Sequence, residues 1–142
     1  RCTPDQIHRY QAKLSGPLMD RIDLHVEVPN LAHADLLNAT AGESTQSIRT
    51  RCDAARARAI ERQGSSNMAL QGQAIDQHIL LEPDALKFLN VAASRLGWSA
   101  RGTHRALKVA RTIADLAGAQ YTQVAHLAEA MQYRRGLRAA GT

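Results

Sequence analysis

Along most of this chain apolar residues recur every three or four positions, the spacing of one face of an α-helix. One stretch breaks that rhythm. In IDLHVEV, residues 22–28, Ile22, Leu24, Val26 and Val28 alternate with Asp23, His25 and Glu27, which predicts a strand, ended by Pro29 and Asn30. Ahead of it, TPDQIHRYQAKL offers Thr3 as N-cap, Pro4 at the first helical position and Asp5 in the first turn, so a helix is expected to run to about Leu14. Ser15, Gly16 and Pro17 break it, and PLMDR has room for one short turn before the strand.

Beyond the strand the chain reads as helices. Ser44 is positioned to cap a helix that carries Ile48, Cys52, Ala55 and Ile60 on one side, arginines on the other, and Gly64 just past its end. GSSNMALQGQ reads as a loop leading to a short helical or irregular piece at 74–80. Pro83 opens a helix with Leu86, Leu89, Ala93 and Leu96 on one face and Gly97 as its stop. A further helix starts at a Ser99 cap, aligns Leu107, Ala110, Ala114 and Ala117, and ends at Gly118, with Gly102 weakening its first turn. Thr122 is the expected cap of a last helix with Val124, Leu127, Ala128 and Met131, after which RRGLRAAGT lacks an apolar face and is expected to be mobile.

The predicted fold class is therefore mainly α. A lone strand has unpaired backbone on both edges and does not make a sheet, so residues 1–30 read as the remnant of an α/β domain. Residues 31–134 read as a helical domain and 135–142 as a tail. A chain of 142 residues suffices for such a domain and a fragment of another. It begins at Arg1 with no signal-peptide pattern, which suggests an excised fragment. No apolar run approaches the roughly 18 residues of a membrane span. The two cysteines, Cys2 and Cys52, are far apart, which fits a reducing, cytoplasmic setting, although Cys2 could also end an upstream cysteine cluster.

Charge sharpens this picture. Eighteen Lys and Arg against thirteen Asp and Glu give +5, and only Lys13, Lys87 and Lys108 are lysines. Guanidinium forks suit phosphate, so the arginine bias leans toward nucleotides or nucleic acid. Arg101, Arg105 and Lys108 fall at i, i+4 and i+7, within about 11 Å of axial rise near a helix N-terminus. Such a stripe is either a solvated face or an anion site. The macrodipole disfavours cations there by a few tenths of a kcal/mol each, which argues for an anionic partner. Arg49, Arg51, Arg56, Arg58 and Arg62 form a second set, partly balanced by Asp53 and Glu61; a solvated face is the favoured reading, with DNA contact through Arg56 and Arg58 the alternative. The six histidines form no HExxH and the cysteines no CxxC, so no metal site is expected, and no phosphate-binding GxxxxGK[ST] loop or GxSxG elbow occurs. Arg21 stands between Asp20 and Asp23 at the entrance to the predicted strand, where a clasp to either carboxylate would be the plain structural role.

Two long segments, RCTPDQIHRYQAKLSGPLMDRIDLHVEVP and SARGTHRALKVARTIADLAG followed by TQVAHLAEAMQYR, together resemble the C-terminal part of the magnesium-chelatase-like AAA+ ATPases. The resemblance spans residues 1–134, with 31–80 generic. It implies that 1–30 end an α/β AAA+ core and that 31–134 form the helical lid of a ring-forming, hexameric ATPase that uses ATP and Mg2+. Within it Arg21 corresponds to an arginine finger acting in trans on the γ-phosphate of the neighbouring subunit, and Arg105, in S-A-R-x-x-H-R, to a nucleotide-reading sensor-2 arginine, with Arg101 and Lys108 as helpers or alternatives. The phosphate-binding loop, the acidic magnesium-binding segment and the first sensor would lie upstream, so this fragment alone is expected to hydrolyse nothing. The wording of the motifs is similar to the branch of the family resembling hexameric helicases that promote DNA branch migration in natural transformation. Metal insertion into a porphyrin, or a helical adaptor binding a protein partner, are the alternatives.

Overall fold

Helix ends in this protein are set by local hydrogen-bonding chemistry, and most fall where capping residues predict them. The computed structural model describes residues 3–11, 13, 21–26, 28–30 and 40–134. Among these, the order is α1 (Pro4–Gln11), α2 (Thr45–Gln63), a 3-10 turn (Asn67–Ala69), α3 (Gln73–His78), α4 (Pro83–Leu96), α5 (Ala100–Leu116) and α6 (Val124–Gln132). Thr3 and Gln6 exchange bonds at the start of α1: Gln6 N–H donates to Thr3 Oγ1 at 3.4 Å and Thr3 N–H to Gln6 Oε1 at 3.0 Å. Ser44 Oγ accepts from the Ser47 N–H, and Ser99 Oγ from the Gly102 N–H. Gly64 and Gly97 end α2 and α4 at φ +72° and +57°, a region where side chains with a Cβ are strained.

The last helix departs from expectation by one residue. Gln123 is its N-cap, exchanging bonds with the third helical position, His126, in a capping box. Thr122 is instead fully buried: its N–H donates to Leu80 O at 2.8 Å and its carbonyl accepts from Glu82 N–H at 3.1 Å, making an isolated parallel bridge between Leu81 and Thr122. That bridge joins the α3–α4 connection to the α5–α6 connection.

The core lies where α5 packs against α6 and α2, and α4 against α6. Leu70, Ile75, Ile79, Leu89, Leu107 and Leu127 fill it, and Ala85, Ala110 and Ala130, all at 0% exposure, let the helices approach closely. Two predicted faces shift. In α4 the buried positions are Ala85, Leu89 and Ala92, while Leu86 is half exposed, because the face toward α6 is chosen by the close approach at Ala85 and not by the largest side chains. In α2 only Ala55 and Ala59 are buried; Ile48, Cys52 and Ile60 are exposed, since the helix meets α5 along its C-terminal half and its first ten residues lie beyond.

The predicted strand is not paired. Residues 22–26 and 28 form no ladder among the described residues, with a bend at Asp23, and Val26 and Val28 are largely exposed. The alternation is real, but a strand needs a neighbour's N–H and C=O groups, and the described residues supply no second strand. His25 instead donates its backbone N–H to Tyr133 O at 2.7 Å, tying the segment to the end of α6. Cys2, Asp20, the turn at 17–20, the expected domain junction at 31 and the 135–142 tail lie outside the described residues. Among the described residues no helix is long and apolar enough to cross a membrane.

Candidate nucleotide-responsive site

The basic stripe on α5 exists, and its three members behave differently. Arg101 is exposed and makes no ion pair or hydrogen bond among the described residues. Lys108 donates from Nζ to Met68 O at 3.0 Å, closing the 3-10 turn against α5. Arg105 reaches back to the N-terminal segment: its Nη1 donates to Asp23 Oδ1 at 2.6 Å and to the carbonyl of Arg21, also at 2.6 Å. The Arg105 Nε and Nη2 groups make no hydrogen bond among the described residues. One edge of that guanidinium is thus committed to the protein while the other still has donors to offer.

The simple clasp expected for Arg21 does not involve Asp23, whose carboxylate pairs with Arg105 instead. Arg21 is exposed, and its side chain has no hydrogen bond or ion pair among the described residues. The two arginines singled out in the sequence therefore meet through main chain: Arg105 grips the peptide carbonyl of Arg21 and leaves the Arg21 guanidinium in solvent.

Arg105 and Lys108 stand at one end of a groove of about 350 Å3 running along α5. Val109, Ile113 and Leu116 contribute an apolar floor, and Leu24, Met68 and Tyr133 further walls. Tyr133 Oη donates to Glu129 Oε1 at 3.4 Å at its rim. Beside it sits His25, whose two ring nitrogens are buried without a hydrogen-bond partner. Burial, with a smaller contribution from the nearby Arg134 guanidinium, lowers the His25 pKa from its ordinary 6.5. Arg134 in turn lies over the Trp98 ring, 5.8 Å from its centroid.

The second basic set divides as well. Arg62 donates to both oxygens of Asp115, at 2.7 and 3.0 Å, and to Asn67 Oδ1; Arg58 donates to the Asp115 carbonyl at 2.8 Å. These two arginines pin α2 to the end of α5, where carbonyls and the macrodipole welcome cations. Arg51 pairs with Glu43 at 2.9 Å on the surface. Arg49 and Arg56 remain exposed with no such partner among the described residues. Of the two candidate DNA contacts, Arg58 therefore has an architectural bond and Arg56 does not.

The pattern of residues did not reveal Arg111 and Asp115. Arg111 is 1% exposed and donates to Asp115 Oδ1, Ala119 O and Gln120 O. Its signal was an Arg and an Asp one turn apart within the apolar face of α5, easily passed over as a surface pair. Among the described residues no three His, Cys, Asp or Glu side chains gather as metal ligands, and Cys52 is an exposed free thiol.

Comparison with known proteins gives this arrangement a family. Residues 42–134 match the family described as magnesium chelatase, subunit ChlI C-terminal, and residues 1–36 match magnesium chelatase, subunit ChlI. The chain is 42% identical over 139 residues to the competence protein ComM of Haemophilus influenzae, covering 97% of this chain and 27% of that protein. It is 42% identical over 136 residues to YifB of Salmonella typhimurium, and 35% identical over 138 residues to Rv2897c of Mycobacterium tuberculosis; each match covers 94% of this chain and 27% of the relative. The chain thus spans about a quarter of the length of the relatives it matches. With its mainly helical fold and a family match over more than half its residues, the chain belongs to the magnesium chelatase ChlI family and carries that family's C-terminal domain.

Proposed function

We propose that this chain is the lid-bearing C-terminal portion of a ring-forming AAA+ ATPase that remodels DNA, acting in the cytoplasm on branched DNA during natural transformation. The observation that carries the nucleotide part is the Arg105 bond to the Arg21 carbonyl and to Asp23. It ties the main chain of Arg21 to Arg105, which lines one end of a groove, and leaves donors to spare on both guanidinium groups. A phosphate fits those donors, being recognised by planar N–H forks. Arg21 would act as an arginine finger toward ATP bound by a neighbouring subunit, where such a residue is worth about 10³ to 10⁵ in rate. Arg105 would read the nucleotide from the lid, with Lys108 and Arg101 beside it. As the resemblance implies, Mg2+ and the phosphate-binding loop would be supplied by the AAA+ core of the longer protein. Hexameric assembly would supply the neighbour that a finger in trans requires.

The DNA part rests on similarity to a protein named for competence and on the exposed arginines of α2. Similarity to the family described as magnesium chelatase favours a second reading, in which the chain belongs to an ATPase subunit for metal insertion into a porphyrin. ATP turnover by a protein carrying this chain and the complete core, with and without branched DNA, separates them. DNA stimulation that vanishes in Arg21→Ala supports a ring-shaped DNA motor. DNA-independent turnover favours the chelatase reading, and no turnover at all favours a helical adaptor.

A further inference from the structure

The geometry points to Asp23 as the positioning residue for Arg105, and through it to a mechanical link between the sensor arginine and the backbone that carries Arg21. The inference rests on the nucleotide reading of Arg105 given above. A free arginine on a helix surface samples many rotamers, and a guanidinium that must meet phosphate with a planar fork gains from being held. Asp23 holds this one, with Oδ1 2.6 Å from Nη1 and both side chains largely shielded, at 30% and 23% exposure. Engaging Nη1 alone leaves the Nε and Nη2 edge, the edge suited to a bidentate oxyanion, uncommitted.

The second acceptor on Nη1 turns an orienting bond into a link. Because the same nitrogen donates to Arg21 O, a displacement of the Arg105 head group acts on the peptide unit joining Arg21 to Ile22. The segment is held at one further described point, the His25 N–H bond to Tyr133 O. Residues 21–25 are thus gripped by α5 at one end and by the residue following α6 at the other. The grip spans 82 positions of sequence and bridges the two stretches matched by separate family descriptions. An anion captured on the Nε and Nη2 edge while Asp23 keeps Nη1 would draw the head group toward itself and, through Nη1, shift the Arg21 peptide, changing where its side chain can reach.

A double-mutant cycle in a protein with the complete ATPase core tests this, reading kcat and KM for ATP together with amide exchange at residues 22–26. Asp23→Ala and Arg105→Ala are each expected to lower kcat about tenfold or more, and the double variant to be no slower than Arg105→Ala alone. The His25 amide should exchange about tenfold faster in either single variant, with the thermal midpoint of α2–α6 unchanged. Asp23→Glu, which keeps the carboxylate, should recover part of kcat; Asp23→Asn keeps the volume without the charge and serves if Asp23→Ala folds poorly. If Arg105→Ala lowers turnover but the double variant shows the product of the two single losses, the link is overturned and the reading of Arg105 stands. Exchange at His25 unchanged by Asp23→Ala overturns it too. If Arg105→Ala leaves turnover and KM untouched, the reading of Arg105 falls and the inference falls with it.

Discussion

Arg111 and Asp115 stand one turn apart on α5, each 1% exposed, and are joined from Nη2 to Oδ1 at 2.8 Å. Around them Arg62 and Asn67 complete the carboxylate's bonds, while Arg111 spends its other donors on Ala119 O and Gln120 O. A buried pair of this kind adds little over a well-packed apolar replacement, but removing one partner strands the other. The network fixes the approach of α2, the 3-10 turn and the α5–α6 connection to one another.

Asp115→Ala should therefore destabilise the domain by about 3–5 kcal/mol, because Arg111 would stay buried without its carboxylate. Urea unfolding followed by circular dichroism measures this. A loss under 1 kcal/mol would mean that Arg111 swings to solvent.

Acid should act in two steps. Burial alone would push the Asp115 carboxyl up, but hydrogen bonds from Arg62, Asn67 and Arg111, with the Arg111 charge, outweigh it and hold the pKa below 3.8. Its stabilisation is full above that value and is lost as pH falls through the lowered folded pKa. His25 acts earlier, because its folded pKa lies below 6.5: the unfolded chain takes up a proton the folded ring refuses, so stability declines from about pH 6.5 downward and levels off beneath the folded value. The first step should vanish in His25→Gln, as seen by unfolding midpoints across pH, while the second should persist.

Gly64→Ala should cost about 1–2 kcal/mol. The position has φ +72° and nothing within 4 Å of an added Cβ, so the loss would come from backbone strain and not from a clash. Thermal melts of Gly64→Ala and Gly64→Asn compare the two causes, since Asn tolerates this conformation and should lose less.

Arg56 and Arg58 should separate binding from architecture. Neutralising Arg56 should leave stability within about 0.5 kcal/mol and, if α2 meets DNA, reduce the salt slope of binding by about one. Arg58→Gln should cost about 1 kcal/mol of stability through its lost bond to the Asp115 carbonyl. Equal effects of the two on stability would contradict the division drawn between them.

Capping chemistry was legible because it is local. Ser44, Gly64, Pro83, Gly97 and Ser99 each act within a few residues, and the structure has them at the ends anticipated. What depends on a partner was not. The face of α4 turned by one position to bring Ala85 against its neighbours, and Thr122 gave its place as cap to Gln123 because the Leu80 and Glu82 backbone claims it. Arginines in an amphipathic pattern read as surface, which concealed Arg111 and the bonds of Arg58 and Arg62 to Asp115. The stripe of Arg101, Arg105 and Lys108 was visible from spacing, whereas the bond from Arg105 to Asp23 joins segments that no local rule connects.

The projecting half of α2 has a practical consequence. Thr45–Ala54 is exposed on every side, and Cys52 presents a thiol there, remote from the buried network at the other end of the helix. In a Cys2→Ser background that thiol is the chain's sole attachment point for a fluorophore or spin label. A reporter placed there would register the arrival of a neighbouring subunit or nucleic acid without disturbing the packed helices it is meant to observe.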